Sequence, residues 1–298
     1  MNNKKIAIIG YGELGRAVHK ILEKKKDLSI GIWDKKDQEI KLSGVVSSAE
    51  VVFICVPSWC VREALENIKK YLSKKALIVC LSKGIEMGTS KTIDVVLKEI
   101  LGSKQSLAIL SGPMLAEELM SGKNGFAVFA SKNKKDFYVI FDIFRGTNLK
   151  IEYSKDMKGV ALCGVLKNIY ALGLGICDGL GLGSNAKGKL AGEAIKEMTE
   201  IVKYLGGKKE SVFSVAGTAD LIATAFSNFS RNREVGEELG RTGVCCLESE
   251  GYKSTKSLMN LLGKKSSLLP FLMAIKLIVL DNKNPASSFS DLLRNENI

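Results

Sequence analysis

Histidine is nearly missing from this chain, which has 298 residues and a single histidine, His19. One imidazole cannot build a His-rich zinc site, and the count argues equally against a Ser-His-Asp hydrolase. There are only four prolines and no Pro/Ser-rich tract, so no long linker is expected. No continuous apolar run reaches the roughly 18 residues that a membrane span requires; Leu268–Leu280 comes closest, and Lys276 breaks it. Lys4 and Lys5 precede only a short apolar stretch before glycines follow, which predicts no leader peptide. The seven cysteines contain no CxxC pair and no Cys/His metal spacing. Cys55, Cys80, Cys163 and Cys177 lie among apolar neighbours and read as small core residues of a protein kept in a reducing cytoplasm. Arginine is scarce too, at 7 of the 44 basic residues. The lysines come in scattered pairs with no aromatic interleaving, so the net charge of +12 carries no nucleic-acid motif. It does suit an anionic small molecule.

With 46% hydrophobic and 26% charged residues the composition excludes disorder, and the length predicts two domains or one large α/β domain. In the first half, short β-rich runs alternate with helical patterns. VVFICV at 51–56 and ALIVCL at 76–81 are continuous apolar runs, suited to strands buried on both faces. Alternating β and α units predict an α/β fold with a doubly wound parallel sheet. Beyond about Tyr153 the β-rich runs give way to helical spacing. Predicted helices include Met157–Asp178, Leu190–Leu205 and Asn232–Leu239. The expected architecture is an N-terminal Rossmann-type domain over 1–153 followed by an all-helical domain over 154–298.

Several motifs carry chemistry. Gly10-Tyr11-Gly12-Glu13-Leu14-Gly15 follows the first strand and opens the first helix. Its glycines permit a tight turn, close approach to a pyrophosphate and tight helix–strand packing. Asp34 ends the second strand, at the spacing of an acid that accepts ribose hydroxyls of NAD. Lys35 and Lys36 follow and could instead pair with the 2′-phosphate of NADP, so both cofactors stay open, with NAD slightly favoured. Pro57 ends the third strand at the sheet edge where cofactor would pass. Lys83 follows the fourth strand at its carboxyl end, the side that faces ligands in such sheets. Lys167 and Asn168 lie in a helix that is apolar almost all round, where a lysine is costly unless paired. Asp220 and Thr224 share one helical face. Arg231 and Asn232 precede a predicted helix start and form an anion cradle.

Taken together, these motifs resemble the bacterial type of the NAD(P)-dependent glycerol-3-phosphate dehydrogenase family. The resemblance runs, in order, through GYGELG (10–15), SKGIE (82–86), SGPMLAEEL (111–119), GVLKNIYALGLGICDGLGLGSNAK (164–187), ADLIATAFSNFSRNREVG (219–236) and EGYKST (250–255). It implies reduction of dihydroxyacetone phosphate to glycerol 3-phosphate with NAD or NADP, by a cytoplasmic homodimer that feeds phospholipid synthesis. It implies that Lys167 is the catalytic lysine, supported by Asp220, with Lys83 beside them. Asn168, Thr224, Arg231, Asn232 and Lys83 would bind substrate. Gly10, Tyr11, Gly12, Glu13, Leu14, Gly15, Asp34, Pro57, Lys83, Arg231 and Glu250 would bind cofactor. Several positions depart from the family pattern: Ala161 stands where an acid is usual, Glu193 where an arginine is usual, Gly217-Thr218-Ala219-Asp220 replaces the familiar Gly-Leu-Gly-Asp, and the stretch over about Gln38–Glu50 is short. The alternatives are a related Rossmann-plus-helical dehydrogenase acting on another hydroxy acid or phosphate, and a cofactor-binding homologue without activity.

Overall fold

The computed structural model describes residues 3–36 and 39–294. Compact packing divides the chain into two units: residues 1–83 with 92–161, and residues 84–91 with 162–298. The change of composition near Tyr153 therefore falls ahead of the break in packing, which lies inside a helix.

The first unit is built on a seven-stranded sheet of β1 (Lys4–Ile9), β2 (Leu28–Trp33), β3 (Val51–Ile54), β4 (Leu77–Cys80), β5 (Ser106–Ser111), β6 (Gly125–Ser131) and β7 (Leu149–Ser154), in the spatial order β2-β1-β3-β4-β5-β6-β7. Its helices are α1 (Glu13–Leu22), α2 (Leu42–Val46), α3 (Val61–Lys69), α4 (Ile93–Leu101), α5 (Ala116–Met120) and α6 (Lys134–Phe144). All residues of β3 and β4 are buried, as their unbroken apolar runs require. One core combines Ile6, Ile8, Phe53, Val79, Leu110 and Phe129 with the apolar stripe of α1.

The sheet is not wholly parallel, which corrects the expectation. β6 runs antiparallel to β5, and β7 then runs parallel to β6. Residues 112–124 join β5 to β6 and hold only the five-residue helix α5, and the chain returns beside β5 as an antiparallel neighbour.

The second unit contains the rest of α7 (Met157–Gly179), then α8 (Gly183–Tyr204), α9 (Lys209–Val212), a π-helical turn at Val215–Ala219, α10 (Asp220–Phe226), α11 (Arg231–Thr242), α12 (Glu250–Leu262), α13 (Pro270–Val279) and α14 (Pro285–Arg294). α8 begins seven residues before the predicted Leu190 and α11 runs past the predicted Leu239. α7 is, by length and composition, long and apolar enough to cross a membrane, against the expectation that no such segment exists; its apolar window is wholly buried. Its glycines do not interrupt it. Added Cβ atoms at Gly175 and Gly179 would overlap the carbonyls of Arg233 and Glu237 in α11, and at Gly236 and Gly240 those of Leu172 and Ile176 in α7. The i, i+4 glycine pairs on both helices thus let α7 and α11 cross with backbones nearly touching, which positions the start of α11 against Asn168.

A buried carboxylate ties three helices together. Glu197 of α8 accepts hydrogen bonds from the N–H groups of Phe271 (2.7 Å) and Leu272 (2.9 Å) and from the Tyr170 hydroxyl (2.6 Å). Pro270 has no N–H, so these are the first donors of α13, and α8 caps it from outside. Burial pushes the Glu197 carboxyl up to about 7, against the pull of its three donors, and Glu193 one turn earlier raises it further. The charge reversal at Glu193 thus acts on a structural group; Glu193 itself pairs with Lys196. Because the folded state holds this proton more tightly than the unfolded one, its contribution to stability is complete below about pH 4.5 and is lost as pH rises through about 7. Thermal melts of Glu197→Gln should lack the wild type's decline between these values; an unchanged decline would clear Glu197 as its source.

Candidate functional site

The first unit holds the loop suited to a dinucleotide. Gly10 has φ +93°, and a Cβ there would meet the Val56 side chain at 2.7 Å; only glycine suits this turn. Gly15 packs so closely on the Gly10 carbonyl that a Cβ would overlap it. Gly12 stands as the N-cap of α1 with open space around it and no side-chain cap, so the first N–H groups of α1 remain available to phosphate oxygens. Glu13 and Leu14 form the first turn of α1 and point no buried polar group inward. These residues fit a bound pyrophosphate: the turn is tight, the approach is clear and the donors are uncapped.

Asp34 differs from the simple sequence expectation. Its Oδ2 accepts from the Tyr11 N–H at 2.7 Å and its Oδ1 from the Lys36 N–H at 3.0 Å. These two bonds hold the carboxyl below the usual range, helped by the charges of Lys36 and Arg16. Asp34 therefore braces the glycine loop and retains one lone pair on each oxygen for ribose hydroxyls. Lys35 is turned to Glu63 at 2.6 Å. The Tyr11 hydroxyl lies 2.8 Å from Nδ1 of His19, which gives the single histidine a structural place at the loop. Pro57 caps a 3₁₀ turn at Ser58–Cys60. Lys83 donates to the Gly112 carbonyl at 2.7 Å. Gly112 has φ +155°, and a Cβ there would overlap the Phe126 carbonyl, so this acceptor sits on backbone that only glycine can form. The sequence reading passed over Gly112, although the Ser-Gly-Pro after a strand was a turn signal.

In the second unit the lysine of α7 finds the partners that its burial demands. Lys167 is 7% exposed. Its Nζ lies 3.2 Å from Oδ1 of Asp220 and donates to Thr224 Oγ1 at 2.8 Å. Thr224 in turn donates to Asp220 Oδ1 at 3.3 Å. Asp220 opens α10 directly after the π-helical turn, where Gly217 approaches the Val212 carbonyl too closely for any side chain. π-bulges of this kind often accompany functional positions.

Asn168, next in α7, accepts from Asn232 Nδ2 at 2.9 Å, and Asn232 Oδ1 accepts from the Gly251 N–H at 2.8 Å. This chain joins α7, the start of α11 and the start of α12, where Glu250 is the first residue. Asn232 thus ties both ends of its amide to the framework, which fixes its orientation at the start of α11. Arg231 carries the free-standing part: it is exposed, it opens α11, and its guanidinium pairs with Glu234 at 2.8 Å. Ser230 caps that helix by accepting from the Arg233 N–H. Arg233 itself turns away, to Asp178 at 3.2 Å and Glu237 at 3.2 Å. Lys187 also reaches Asp178, at 2.7 Å, and stacks on Phe226 at 4.2 Å. This Asp178–Lys187–Arg233 set was not singled out from sequence, because its members lie on three separate helices. Ala161 is a buried apolar residue of α7.

No group of three or more His, Cys, Asp and Glu side chains among the described residues is arranged to hold a metal ion.

Comparison with known proteins adds an independent line. The family model for the NAD-dependent glycerol-3-phosphate dehydrogenase N-terminus matches residues 37–137, and that for its C-terminus matches residues 156–290. A glycerol-3-phosphate dehydrogenase [NAD(P)+] of Thermoanaerobacter sp. is 36% identical, over 90% of this chain and 83% of its own length. One from Fusobacterium nucleatum is 31% identical, over 97% and 96%. The crystal structure of glycerol-3-phosphate dehydrogenase from Coxiella burnetii superposes with a TM-score of 0.90 at 28% identity, covering 98% of this chain and 99% of that one.

Proposed function

Because the chain belongs to the NAD-dependent glycerol-3-phosphate dehydrogenase family, we propose that it catalyses the reversible, NAD(P)H-dependent reduction of dihydroxyacetone phosphate to sn-glycerol 3-phosphate. The observation that carries this reading is the buried Lys167 amine, held by Asp220 and Thr224 in a helix otherwise apolar.

The dinucleotide supplies a hydride when bound to the loop at Gly10–Gly15. Lys167 Nζ hydrogen-bonds the ketone oxygen and gives it a proton as negative charge develops there, so that the carbonyl becomes a secondary alcohol. In the reverse direction the amine takes that proton back. Asp220 offsets the ammonium charge and Thr224 fixes the direction of Nζ. Asn168, held by Asn232, orients the substrate hydroxyl. Arg231 and the first N–H groups of α11 hold the phosphate, a pairing that suits a fork of donors and a helix N-terminus. Lys83, with its Gly112 contact, presents a second positive charge. Pro57 would border the cofactor beside the glycine loop of the first unit, and Glu250 opens α12 in the second. Asp34, its carboxyl held below the usual range by two backbone donors, would accept ribose hydroxyls and disfavour a 2′-phosphate, which supports NAD over NADP.

The chain acts as a homodimer in the cytoplasm, and its product serves phospholipid synthesis. Six of its seven cysteines are buried or partly buried free thiols, in keeping with a reducing compartment.

The test is the absorbance of reduced nicotinamide, followed with purified protein, dihydroxyacetone phosphate, and NADH or NADPH in parallel. Oxidation of the cofactor only when the ketone is present supports the reading, and faster turnover with NADH supports the role given to Asp34. Tight cofactor binding without turnover would overturn the assigned reaction.

A further inference from the structure

β7 is an edge strand. It pairs with β6 on one side and with no strand among the described residues on the other. The Gly125 N–H bonds to the Asn148 carbonyl, and this sets the alternation along the strand. The even-numbered residues direct their backbone groups at β6, while Leu149, Ile151 and Tyr153 direct theirs outward, the Leu149 N–H donating to Thr147 Oγ1 at 3.2 Å. Sheet edges of this kind are ordinarily blunted by proline, a bulge, a covering segment or charged side chains, and here the two exposed charges, Lys150 and Glu152, are of opposite sign. β7, LKIEYS, has no proline, and its register with β6 runs without a bulge. Beside it lies a hollow of about 250 Å³ lined by Phe141, Phe144, Arg145, Leu149, Lys150 and Ile151, and the neighbouring face of α6 exposes Tyr138 and Phe141.

We infer that β7 is the docking edge for a second copy of this chain, which adds its own β7 antiparallel to the first, about a two-fold axis at Ile151. The charges of the strand select the register. Outward groups meet outward groups only if odd-numbered residues face odd-numbered ones. Centring the pair on residue 150 would place Lys150 against Lys150 of the second copy, and centring it on 152 would oppose the two Glu152 carboxylates. Centring on Ile151 brings Lys150 opposite Glu152 of the second copy, and by symmetry Glu152 opposite its Lys150. Both side chains are exposed on the sheet face away from α6. In this register the two Ile151 residues exchange both backbone hydrogen bonds, and each Tyr153 N–H donates to a Leu149 carbonyl across the axis. Tyr153, already packed on Phe137 (ring centroids 5.4 Å apart), then lies against Leu149 of the second copy and covers the hollow. Opposite charges directly across a strand pair stabilise it and like charges destabilise it. The interface is isologous and closes at two copies. It stands on the strand itself and supplies an interface for the homodimer proposed above.

Sedimentation equilibrium of the full chain, at moderate and high salt, tests it. Lys150→Glu and Glu152→Lys each create two like-charge pairs and should each raise the dimer Kd roughly tenfold, an effect that salt diminishes. The double variant Lys150→Glu/Glu152→Lys re-forms the opposite pairs and should return Kd to the wild-type value. A purely structural role for either side chain would not give that rescue. As a second readout, hydrogen exchange at the Ile151 and Tyr153 amides should slow when the protein is concentrated from monomer to dimer. A dimer whose Kd ignores both single changes, or singles that the double fails to rescue, overturns this interface and leaves the homodimer standing. A wild-type chain that stays monomeric at all concentrations overturns both.

Discussion

Lys167→Ala should lower turnover by roughly 10²–10⁴ while leaving cofactor affinity almost unchanged, since the lost amine is the general acid and the glycine loop is untouched. The same change should also destabilise the fold. Asp220 is 2% exposed and Thr224 3% exposed, and both point at the amine. Removing one member of a buried ion pair leaves the other charged and unsolvated, at a cost of about 3–5 kcal/mol. Against a typical total of about 5–15 kcal/mol that is a large share, so the kinetics must be read well below the melting temperature of the variant. Lys167→Met, which keeps the stem and loses the amine, separates lost packing from lost chemistry. Asp220→Asn/Lys167→Met removes both charges and should recover part of the stability and none of the turnover. Nucleotide titration by fluorescence and steady-state rates give the two numbers that matter. If either Lys167 variant, shown to be folded, turned over at the wild-type rate, the proton donor would have to be another group.

The second large effect is expected at Arg231. The guanidinium is exposed and its nearest carboxylate, Glu234, is one turn further along α11. A surface pair of this kind contributes little, so a phosphate can displace it. A hydrogen bond to a charged group contributes about 1.5–3 kcal/mol, which converts to roughly a 10–100-fold rise in KM for dihydroxyacetone phosphate in Arg231→Ala. Unphosphorylated dihydroxyacetone should show almost no change. Glu234→Gln removes the competitor and should lower KM for the phosphorylated substrate slightly. Equal effects of Arg231→Ala on both substrates would remove Arg231 from the phosphate site. The fold should be indifferent to this substitution, because the cap of α11 is made by Ser230 and the buried contacts by Asn232.

Local signals in the chain accounted for much of this. The glycine loop was legible because its strand, turn and helix lie within 15 residues of one another, and each glycine answers a local steric need. Lys167 stood out as a charge in an apolar helix, and Asp220 with Thr224 as an i, i+4 pair. That these two sets meet was not written in their spacing. They lie more than 50 residues apart, and packing of α10 against α7 brings them together. Asn232 was marked for its place before a helix, and the structure adds bonds from both ends of its amide to Asn168 and Gly251, partners supplied by two other helices. Asp34 was marked as a ribose ligand, and the fold adds its two backbone donors.

What the sequence by itself determined, then, is what short-range chemistry decides: where strands and helices form, which turns demand glycine, and which charged residues must find partners. Strand direction, partner identity and edges were decided only in three dimensions. Apolar runs bury equally well in either direction, so nothing in Phe126–Ala130 distinguishes the antiparallel β6 from a parallel strand. The glycines within the predicted helix Met157–Asp178 have no local reason to be there, and only the crossing of α11 gives Gly175 its purpose, as it does Gly179 one residue beyond. In the same way Lys150 and Glu152 are two unremarked charges in the chain, and they acquire meaning only because β7 is the last strand of the sheet among the described residues, with Ile151 and Tyr153 facing outward from it.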